Sequence, residues 1–177
     1  MSGKEQLVTL VSNDSEHFQV PLKVAEMSEL VKNAIDYSEE DDEEVEEKEI
    51  PINKVDGVIL KKVIEFCTHY QEVEKMENIE TPFKGETLEE ILHPVWYADY
   101  CKVIDHQTMF QLVSAANYMN IQELLNLACL GTAVSIKGKS AEELRRIFSL
   151  PDPEPLASNI SDVGDSDEDD KSGEDEN

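Results

Sequence analysis

Apolar residues form short β-prone runs in the first part of the chain and recur with a helical period farther along it. The runs LVTLV at 7–11 and HFQV at 17–20 are β-prone and flank a polar SNDSE, which predicts a hairpin. Residues 22–35 predict a helix with a break near Ser28. Residues 50–52 (IPI) predict a short edge strand, because proline cannot donate a ladder hydrogen bond. This part of the chain predicts a small sheet with helices beside it.

Beyond Val55 the apolar residues recur every three to four positions, which predicts a helical body. Asp56 is expected to cap a helix that runs to about Tyr70. Residues 71–90 lose this period and predict a variable loop, and a short helix is expected over 94–100. The apolar stripe of the first helix is Ile59, Leu60, Val63, Ile64, Phe66, Cys67 and Tyr70.

Three further helices are predicted in the second half of the chain. The first covers 105–119, and Asn120 is expected to cap the next one with Glu123 reaching back. Ser140 and Glu143 have the spacing of a capping box for a last helix through Phe148. The inward stripe expected for the middle helix is Leu124, Leu125, Ala128 and Cys129.

The formal net charge of −25 is concentrated in two segments. Residues 39–49 hold nine acids and one lysine, and residues 151–177 hold eleven acids and one lysine. Both are predicted to be disordered, a loop and a tail. They are either solubilising filler or a decoy for basic partners such as histones, and Ser166 and Ser172 could accept phosphate from an acid-directed kinase.

Composition excludes several classes of function. No cluster of Lys and Arg exists that could neutralise phosphates, so nucleic-acid binding and docking on an anionic membrane are not expected. No apolar run approaches the ~20 residues of a spanning helix. The three cysteines are odd in number and far apart, which predicts reduced, buried thiols. We expect a soluble intracellular protein, cytoplasmic and nuclear.

Motifs that carry chemistry are missing from the sequence. Gly131 and Gly138 are isolated, so no phosphate-binding loop is predicted. The four histidines and the cysteines do not have zinc-ligand spacing, and no nucleophile elbow occurs. We predict no catalytic residue, no cofactor, no metal and no enzymatic activity.

Three stretches carry a family resemblance: ILKKVIEFCTHY (59–70), PVWYADYCKV (94–103), and TMFQLVSAANYMNIQELLNLAC (108–129) running into IKGKSAEELRRIF (136–148). Together they resemble the S-phase kinase-associated protein one family. The resemblance implies an α+β BTB/POZ fold over 6–119, a small sheet flanked by helices, and additional C-terminal helices over 120–150.

The resemblance also implies a function without catalysis. Members of this family are adaptors of SCF ubiquitin ligases that connect a cullin scaffold with an F-box substrate receptor. The family's cullin-facing residues match Asn117 and Tyr118; apart from the resemblance, Tyr118 is an ordinary half-buried tyrosine. The F-box side matches a stripe that would otherwise be interpreted as core: Leu125, Cys129, Thr132, Ile136, Lys137, Leu144, Phe148 and Leu150.

The chain departs from the family after Leu150. The family continues there with two further helices, whereas this chain has three prolines and no apolar stripe, so we expect a divergent member without them. Losing one or two anchoring contacts of ~2 kcal/mol each weakens F-box binding by roughly one and a half to three orders of magnitude. Gly131 in mid-helix is a further departure, at about 1 kcal/mol relative to alanine.

Two alternatives to this function remain at the level of sequence. An elongin-C-like adaptor shares the fold and also lacks the final helices. An acidic chaperone would neutralise basic proteins through 39–49 and 151–177. Self-association is also expected of the BTB part or the C-terminal helices, because apolar surface near Phe148 and Leu150 is predicted to be uncovered.

Overall fold

The computed structural model describes residues 6–39 and 49–151. A three-stranded sheet forms from β1 (Leu7–Ser12), β2 (His17–Pro21) and β3 (Glu49–Ile52). β1 lies in the centre, antiparallel to β2 and parallel to β3. The predicted hairpin and edge strand are therefore confirmed.

The pattern of burial along β3 explains why a proline is accepted there. Ile50 and Ile52 are buried, while Pro51 between them is exposed at the sheet edge. In β1, Val8 and Leu10 are buried and join the same core. The predicted disorder at 39–49 and at 151–177 falls almost entirely outside the described residues.

The predicted helix after the hairpin is present and is broken where expected. It consists of α1 (Leu22–Ala25) and α2 (Glu29–Glu39). The buried Ser28 lies between them, and its Oγ accepts a hydrogen bond from the Val31 N–H at 3.3 Å. This serine therefore begins α2.

The next helix, α3 (Gly57–Glu72), has the predicted stripe but a different cap. Asp56 occupies the N-cap position without a side-chain cap bond and accepts from Asn13 Nδ2 at 3.2 Å. The Gly57 N–H donates to Asp14 Oδ1 at 2.7 Å, from the turn of the hairpin. The predicted N-cap position of Asp56 is confirmed, but its side chain makes no cap bond. Local spacing cannot reveal the contact that replaces it, because Asp14 is 43 positions from Gly57.

Residues 71–90 are not a single loop, because α3 runs to Glu72 and a short α4 (Leu88–Ile91) begins within the range. α5 (Val95–Lys102) then follows, close to its predicted position. An aromatic cluster joins α5 to α3, and Tyr100 Oη donates to the Lys62 carbonyl at 2.8 Å. Its rings belong to Phe66, His69, Tyr70, Trp96, Tyr97 and Tyr100.

The two longest helices after α3 are α6 (His106–Met119) and α7 (Gln122–Ile136). Asp105 caps α6 through its carboxylate. Contrary to the prediction, Asn120 does not cap α7 but ends α6 with φ 52° and ψ 57°. Asparagine tolerates this left-handed conformation better than most residues, so it is used at the C-terminus of a helix.

Gly131 lies in the middle of α7 for a packing reason. It is buried, and a Cβ there would lie 3.2 Å from Met109 Cε and 3.4 Å from Cys101 Sγ. The glycine allows α7 to approach α5 and α6 closely. Gly131 therefore faces the core and lies outside the stripe predicted for α7 and α8.

The inward face of α7 differs from the predicted stripe. Leu125 is only partly buried and Cys129 is exposed, while Cys67 and Cys101 are buried as expected. Successive helical residues are 100° apart, so the face of α7 that packs against α6 is rotated away from the face inferred from the apolar spacing. The buried residues of α7 are Leu124, Leu127, Ala128, Leu130 and Gly131.

The last described helix is α8 (Ala141–Ile147), which begins with the predicted capping box. Ser140 Oγ accepts from the Glu143 N–H at 3.3 Å, and the Glu143 carboxylate accepts from the Ser140 N–H at 2.8 Å. None of the seven residues of α8 is buried. Local capping therefore defines this helix more than packing does.

Candidate functional site

One face of α6, together with the loop before α3, forms the first candidate surface. Asn117 is exposed and Tyr118 is half-buried in the last turn of the helix. Lys54 Nζ lies 5.4 Å from the centroid of the Tyr118 ring, within the range of a cation–π contact. We call Lys54, Phe110, Gln111, Ser114, Asn117 and Tyr118 the α6 surface.

A depression of about 220 Å³ lies along the same face. Phe110, Gln111 and Ser114 line it from α6, and Lys54 and Ile59 line it from the other side. Residues three or four apart on a helix are neighbours, so Ser114 at the edge of this depression lies beside Tyr118. The α6 surface therefore offers a concave apolar part beside exposed polar groups.

The end of α6 that carries Asn117 and Tyr118 is held by a buried hydrogen bond. Ser28 Oγ donates to the Met119 carbonyl at 2.6 Å, across 91 residues of sequence. The Glu29 N–H donates to the Asn120 carbonyl at 3.5 Å. Both bonds tie the start of α2 to the end of α6, so the two candidate residues project from a fixed helix terminus.

The second candidate surface is a stripe on α7 that continues onto α8. Its α7 members recur at intervals of four, three and four residues, so they share one face of the helix. All are partly or fully exposed, which is compatible with contact to a partner. We call the α7–α8 surface the set Leu125, Cys129, Thr132, Ile136, Lys137, Leu144, Phe148 and Leu150.

The hydroxyl groups on this part of α7 are already satisfied within the helix. Thr132 Oγ1 donates to the Ala128 carbonyl at 2.9 Å, and Ser135 Oγ donates to the Thr132 carbonyl at 2.7 Å. Because these groups need no external partner, the stripe presents mainly apolar area. A depression of about 230 Å³ adjoins it, lined in part by Phe83 and Lys137.

The side chain of Phe148 is less exposed to solvent than the sequence predicts. Its ring stacks on Phe110 of α6 with centroids 4.8 Å apart and an interplanar angle of 23°. It is 37% exposed, whereas Leu150 is 57% exposed. The expectation of uncovered apolar surface is confirmed for Leu150 and only in part for Phe148, whose ring connects the two candidate surfaces.

Two of the three cysteines are buried. Burial raises the pKa of Cys67 and of Cys101 to about 12, so neither thiol ionises at neutral pH. Within 6–39 and 49–151, no group of three or more His, Cys, Asp and Glu side chains could hold a metal ion. No helix in these ranges is both long and apolar enough to cross a bilayer.

Comparison with known proteins gives two matches to one family, one in each half of the chain. Residues 6–72 match the model described as "Skp1 family, tetramerisation domain", and residues 122–155 match "Skp1 family, dimerisation domain". The chain belongs to the Skp1 family. The small sheet with its surrounding helices is accordingly the POZ domain of that family, as the sequence predicts.

Relatives from three organisms support membership of the Skp1 family over most of the chain. The chain is 34% identical to a Skp1-related protein of Caenorhabditis elegans over 150 residues, 84% of this chain and 83% of the relative. It is 35% identical to the SCF ubiquitin ligase complex protein SKP1a of Dictyostelium discoideum over 144 residues, 81% and 83% of the two chains. It is 37% identical to SKP1-like protein 3 of Arabidopsis thaliana over 150 residues, 85% and 87%.

The structure thus brings the predicted residues of this Skp1-family chain into two sets. Asn117 and Tyr118 lie at one end of α6, and the eight residues of the other set follow α7 and α8. Sequence reasoning missed Lys54 and Phe110. Their positions depend on long-range packing, and only the 3.6-residue period of α6 could have suggested Phe110.

Proposed function

We propose that this chain is a non-catalytic adaptor of an SCF-type cullin ubiquitin ligase, acting in the cytoplasm and nucleus. Membership of the Skp1 family supports the proposal, as does a relative whose name places it in an SCF complex. In this proposal the chain joins a cullin scaffold to an F-box substrate receptor. Self-association through either part belongs to the same proposal, since the matched family models are named for tetramerisation and dimerisation.

The cullin is proposed to bind the α6 surface. The observation that carries this is the pair Asn117 and Tyr118, which project together from a helix end held by Ser28. A tyrosine beside an exposed amide and an apolar depression is a favourable anchor, because interfaces combine aromatic cores with polar rims. Lys54 adds a positive charge at the rim of this surface.

The F-box receptor is proposed to bind the α7–α8 surface. The apolar positions of α7 are accessible, their neighbouring hydroxyls are satisfied, and α8 buries none of its residues. A partner helix laid against α7 could therefore cover area that α8 leaves open. The family's two further helices are not expected after Leu150, so we propose a lower affinity for the F-box receptor than a full set of helices would provide.

The match of residues 122–155 to a Skp1-family domain supports an F-box receptor over an elongin-C-like partner. The alternative of an acidic chaperone rests on 39–49 and 151–177, which lie almost entirely outside the described residues. Both remain distinguishable by binding measurements, because a chaperone for basic proteins depends steeply on salt.

The test is calorimetry of the full chain with the N-terminal domain of a cullin. Replacing Asn117 or Tyr118 with alanine is expected to weaken binding roughly 30-fold each, if each contributes ~2 kcal/mol. The matched control is Gln107→Ala, an exposed residue in the first turn of the same helix. Unaltered cullin affinity in the Asn117→Ala/Tyr118→Ala double variant would refute the assignment of this surface.

The receptor side is tested with an F-box peptide and the variants Leu125→Ala and Ile136→Ala. Both are expected to lower peptide affinity while leaving cullin affinity unchanged, since they lie on the other surface. Equal losses for both partners would contradict the division into two sites.

A further inference from the structure

Contrary to the expectation that lysines and arginines do not cluster in this chain, the corner where α7 meets α8 concentrates positive charge. Four of the 15 basic residues fall within residues 137–146, which contain only two acids. Among these acids, the Glu143 carboxylate is engaged by the Ser140 N–H in the capping box. We call Lys137, Lys139, Arg145 and Arg146 the basic corner.

The positive groups of this corner are poorly neutralised within the described chain. Lys137 Nζ lies 3.7 Å from a Glu86 carboxylate oxygen, in an exposed pair of the kind that contributes little. Lys139 interacts electrostatically with Glu143 and helps to lower the pKa of that carboxyl. For Lys139, Arg145 and Arg146, however, no close ion pair with a carboxylate forms in 6–39 or 49–151. The corner therefore has charge available for an anionic partner.

The chain itself leaves α8 directly beside the two arginines. Ser149 has φ 51°, and the N–H groups of Ser149 and Leu150 donate to the carbonyls of Arg146 and Arg145, at 3.2 and 2.9 Å. The backbone is thus folded back against the last turn of α8 when it reaches Pro151. The acidic segment after Pro151 is therefore attached at the basic corner.

Residues 152–177 carry eleven acids and one lysine. Asp152 and Glu154 follow Arg146 by six and eight residues, and the densest acidic run, 165–170, is 14 to 19 residues past Pro151. A chain spans at most ~3.4 Å per residue, so a tether of that length, up to about 50–65 Å, easily covers the corner. Tethering also gives a segment an effective concentration of the order of millimolar, above that of a free acidic partner.

We propose that the acidic segment 152–177 binds the basic corner within the same molecule and competes with partners for the α7–α8 surface. The occupant is this segment because its charge is complementary, its attachment point adjoins the corner, and its effective concentration exceeds that of a competitor. Lys137 belongs to both the corner and the α7–α8 surface, and Leu144 and Phe148 lie beside the arginines. Competition with an F-box receptor rests on the proposed function, whereas binding of the acidic segment to the basic corner does not.

The binding is tested by NMR on the full chain. The tail variant carries five substitutions: Asp165→Asn, Asp167→Asn, Glu168→Gln, Asp169→Asn and Asp170→Asn. Wild-type amide resonances of 137–150 are expected to move as salt rises from about 20 to 500 mM, because screening weakens exposed ion pairs. In the tail variant these resonances should lie near their high-salt positions at every salt concentration.

A matched control neutralises the same number of acids in the other segment: Asp41→Asn, Asp42→Asn, Glu43→Gln, Glu44→Gln and Glu46→Gln. It should leave the resonances of 137–150 and their salt dependence unchanged. If this control moves them and the tail variant does not, the internal segment is the occupant and the proposal is wrong. Shifts that grow with protein concentration would assign the corner to a second copy, and an absence of salt-dependent shifts would also overturn the proposal.

The competition is tested by the affinity of an F-box peptide. At low salt the tail variant is expected to bind the peptide several-fold more tightly than wild type, and the two affinities should converge at high salt. Equal affinities at low salt, with NMR shifts as expected, would refute the competition alone. A peptide that binds neither protein, with the same NMR shifts, would count against the proposed receptor function and leave the intramolecular contact standing.

Discussion

The two candidate surfaces differ in how firmly the fold supports them. The α6 surface rests on a helix whose opposite face is buried along its length and whose end is fixed by Ser28. The α7–α8 surface begins on an equally well-packed helix but continues onto α8, which buries no residue. The α6 surface is therefore preformed. The α8 part of the α7–α8 surface depends on helix capping and on the stacking of Phe148 on Phe110.

This difference has a consequence for binding energetics. A partner of the α6 surface meets groups that are already ordered, so little of its binding energy is spent on immobilising them. A partner of the α7–α8 surface must also order α8 and displace or accommodate the Phe148 ring. We expect the second surface to be the more adaptable one and to gain more order on binding.

The largest expected difference is in amide hydrogen exchange. Interior amides of α7, such as those of Leu127 and Ala128, should exchange only through global unfolding, with protection of roughly 10³-fold or more. Amides of α8 should be protected by no more than about 100-fold, because few contacts oppose local opening. Mass spectrometry of the exchanged full chain measures both. Equal protection of α7 and α8 would contradict the contrast drawn between the surfaces.

A pair of leucine substitutions measures the same contrast as stability. Leu124 is 0% exposed in α7, so Leu124→Ala should lower the free energy of unfolding by about 2–5 kcal/mol. Leu144 in α8 is only partly buried, so Leu144→Ala should cost less than about 1 kcal/mol. Urea unfolding gives both values, provided that the slope of the transition is unchanged. A large loss for Leu144→Ala would mean that α8 is part of the cooperative core.

The hydrogen bond that fixes the end of α6 should have a smaller effect. Ser28→Ala leaves the Met119 carbonyl and the Val31 N–H without their hydroxyl partner in a buried place, at about 1–3 kcal/mol. Ser114→Ala is the matched control, because that exposed hydroxyl donates only to the Phe110 carbonyl of its own helix. It should change the free energy of unfolding by less than about 0.5 kcal/mol. If both substitutions lowered the free energy of unfolding by similar amounts, the Ser28 hydrogen bond would not be what fixes the α6 surface.

Most elements could be predicted from the sequence because their causes are local. The hairpin follows from two β-prone runs around a polar turn, and the start of α8 follows from the spacing of Ser140 and Glu143. The family motifs located Asn117 and Tyr118 on the helix that carries them. These features depend on residues close together in the chain.

The features that could not be predicted depend on tertiary contacts. The hairpin residue Asp14 caps α3 in place of Asp56, and Gly131 is explained only by the approach of α5 and α6. The Phe110–Phe148 stack, which partly covers the α7–α8 surface, joins residues 38 positions apart. Local periodicity contains no information on such pairs, so the capping and exposure at these sites were misjudged.

The smallest expected effect concerns His69, in the aromatic cluster that joins α3 to α5. This cluster lies in a well-packed part of the molecule, as α6 does. Its ring stacks on Trp96 at 3.7 Å, and its Nε2 is buried with no hydrogen-bond partner among the described residues. Desolvation lowers the pKa of this imidazole from its ordinary value of 6.5, and the nearby Glu74 opposes that shift only in part.

The folded state therefore binds this proton less readily than the unfolded state does. The contribution of His69 to stability is complete above about pH 6.5 and is lost as the pH falls through the lower pKa of the folded state. Trp96 is the only tryptophan, and a protonated imidazole in contact with an indole quenches its fluorescence, so emission should fall with a midpoint below 6.5. His69→Gln should abolish the transition, and the exposed His106→Gln should preserve it. A fluorescence midpoint at or above pH 6.5 would show that the aromatic cluster is open to water. The junction of α3 and α5 would then resemble the poorly packed α8 and not the well-packed α6.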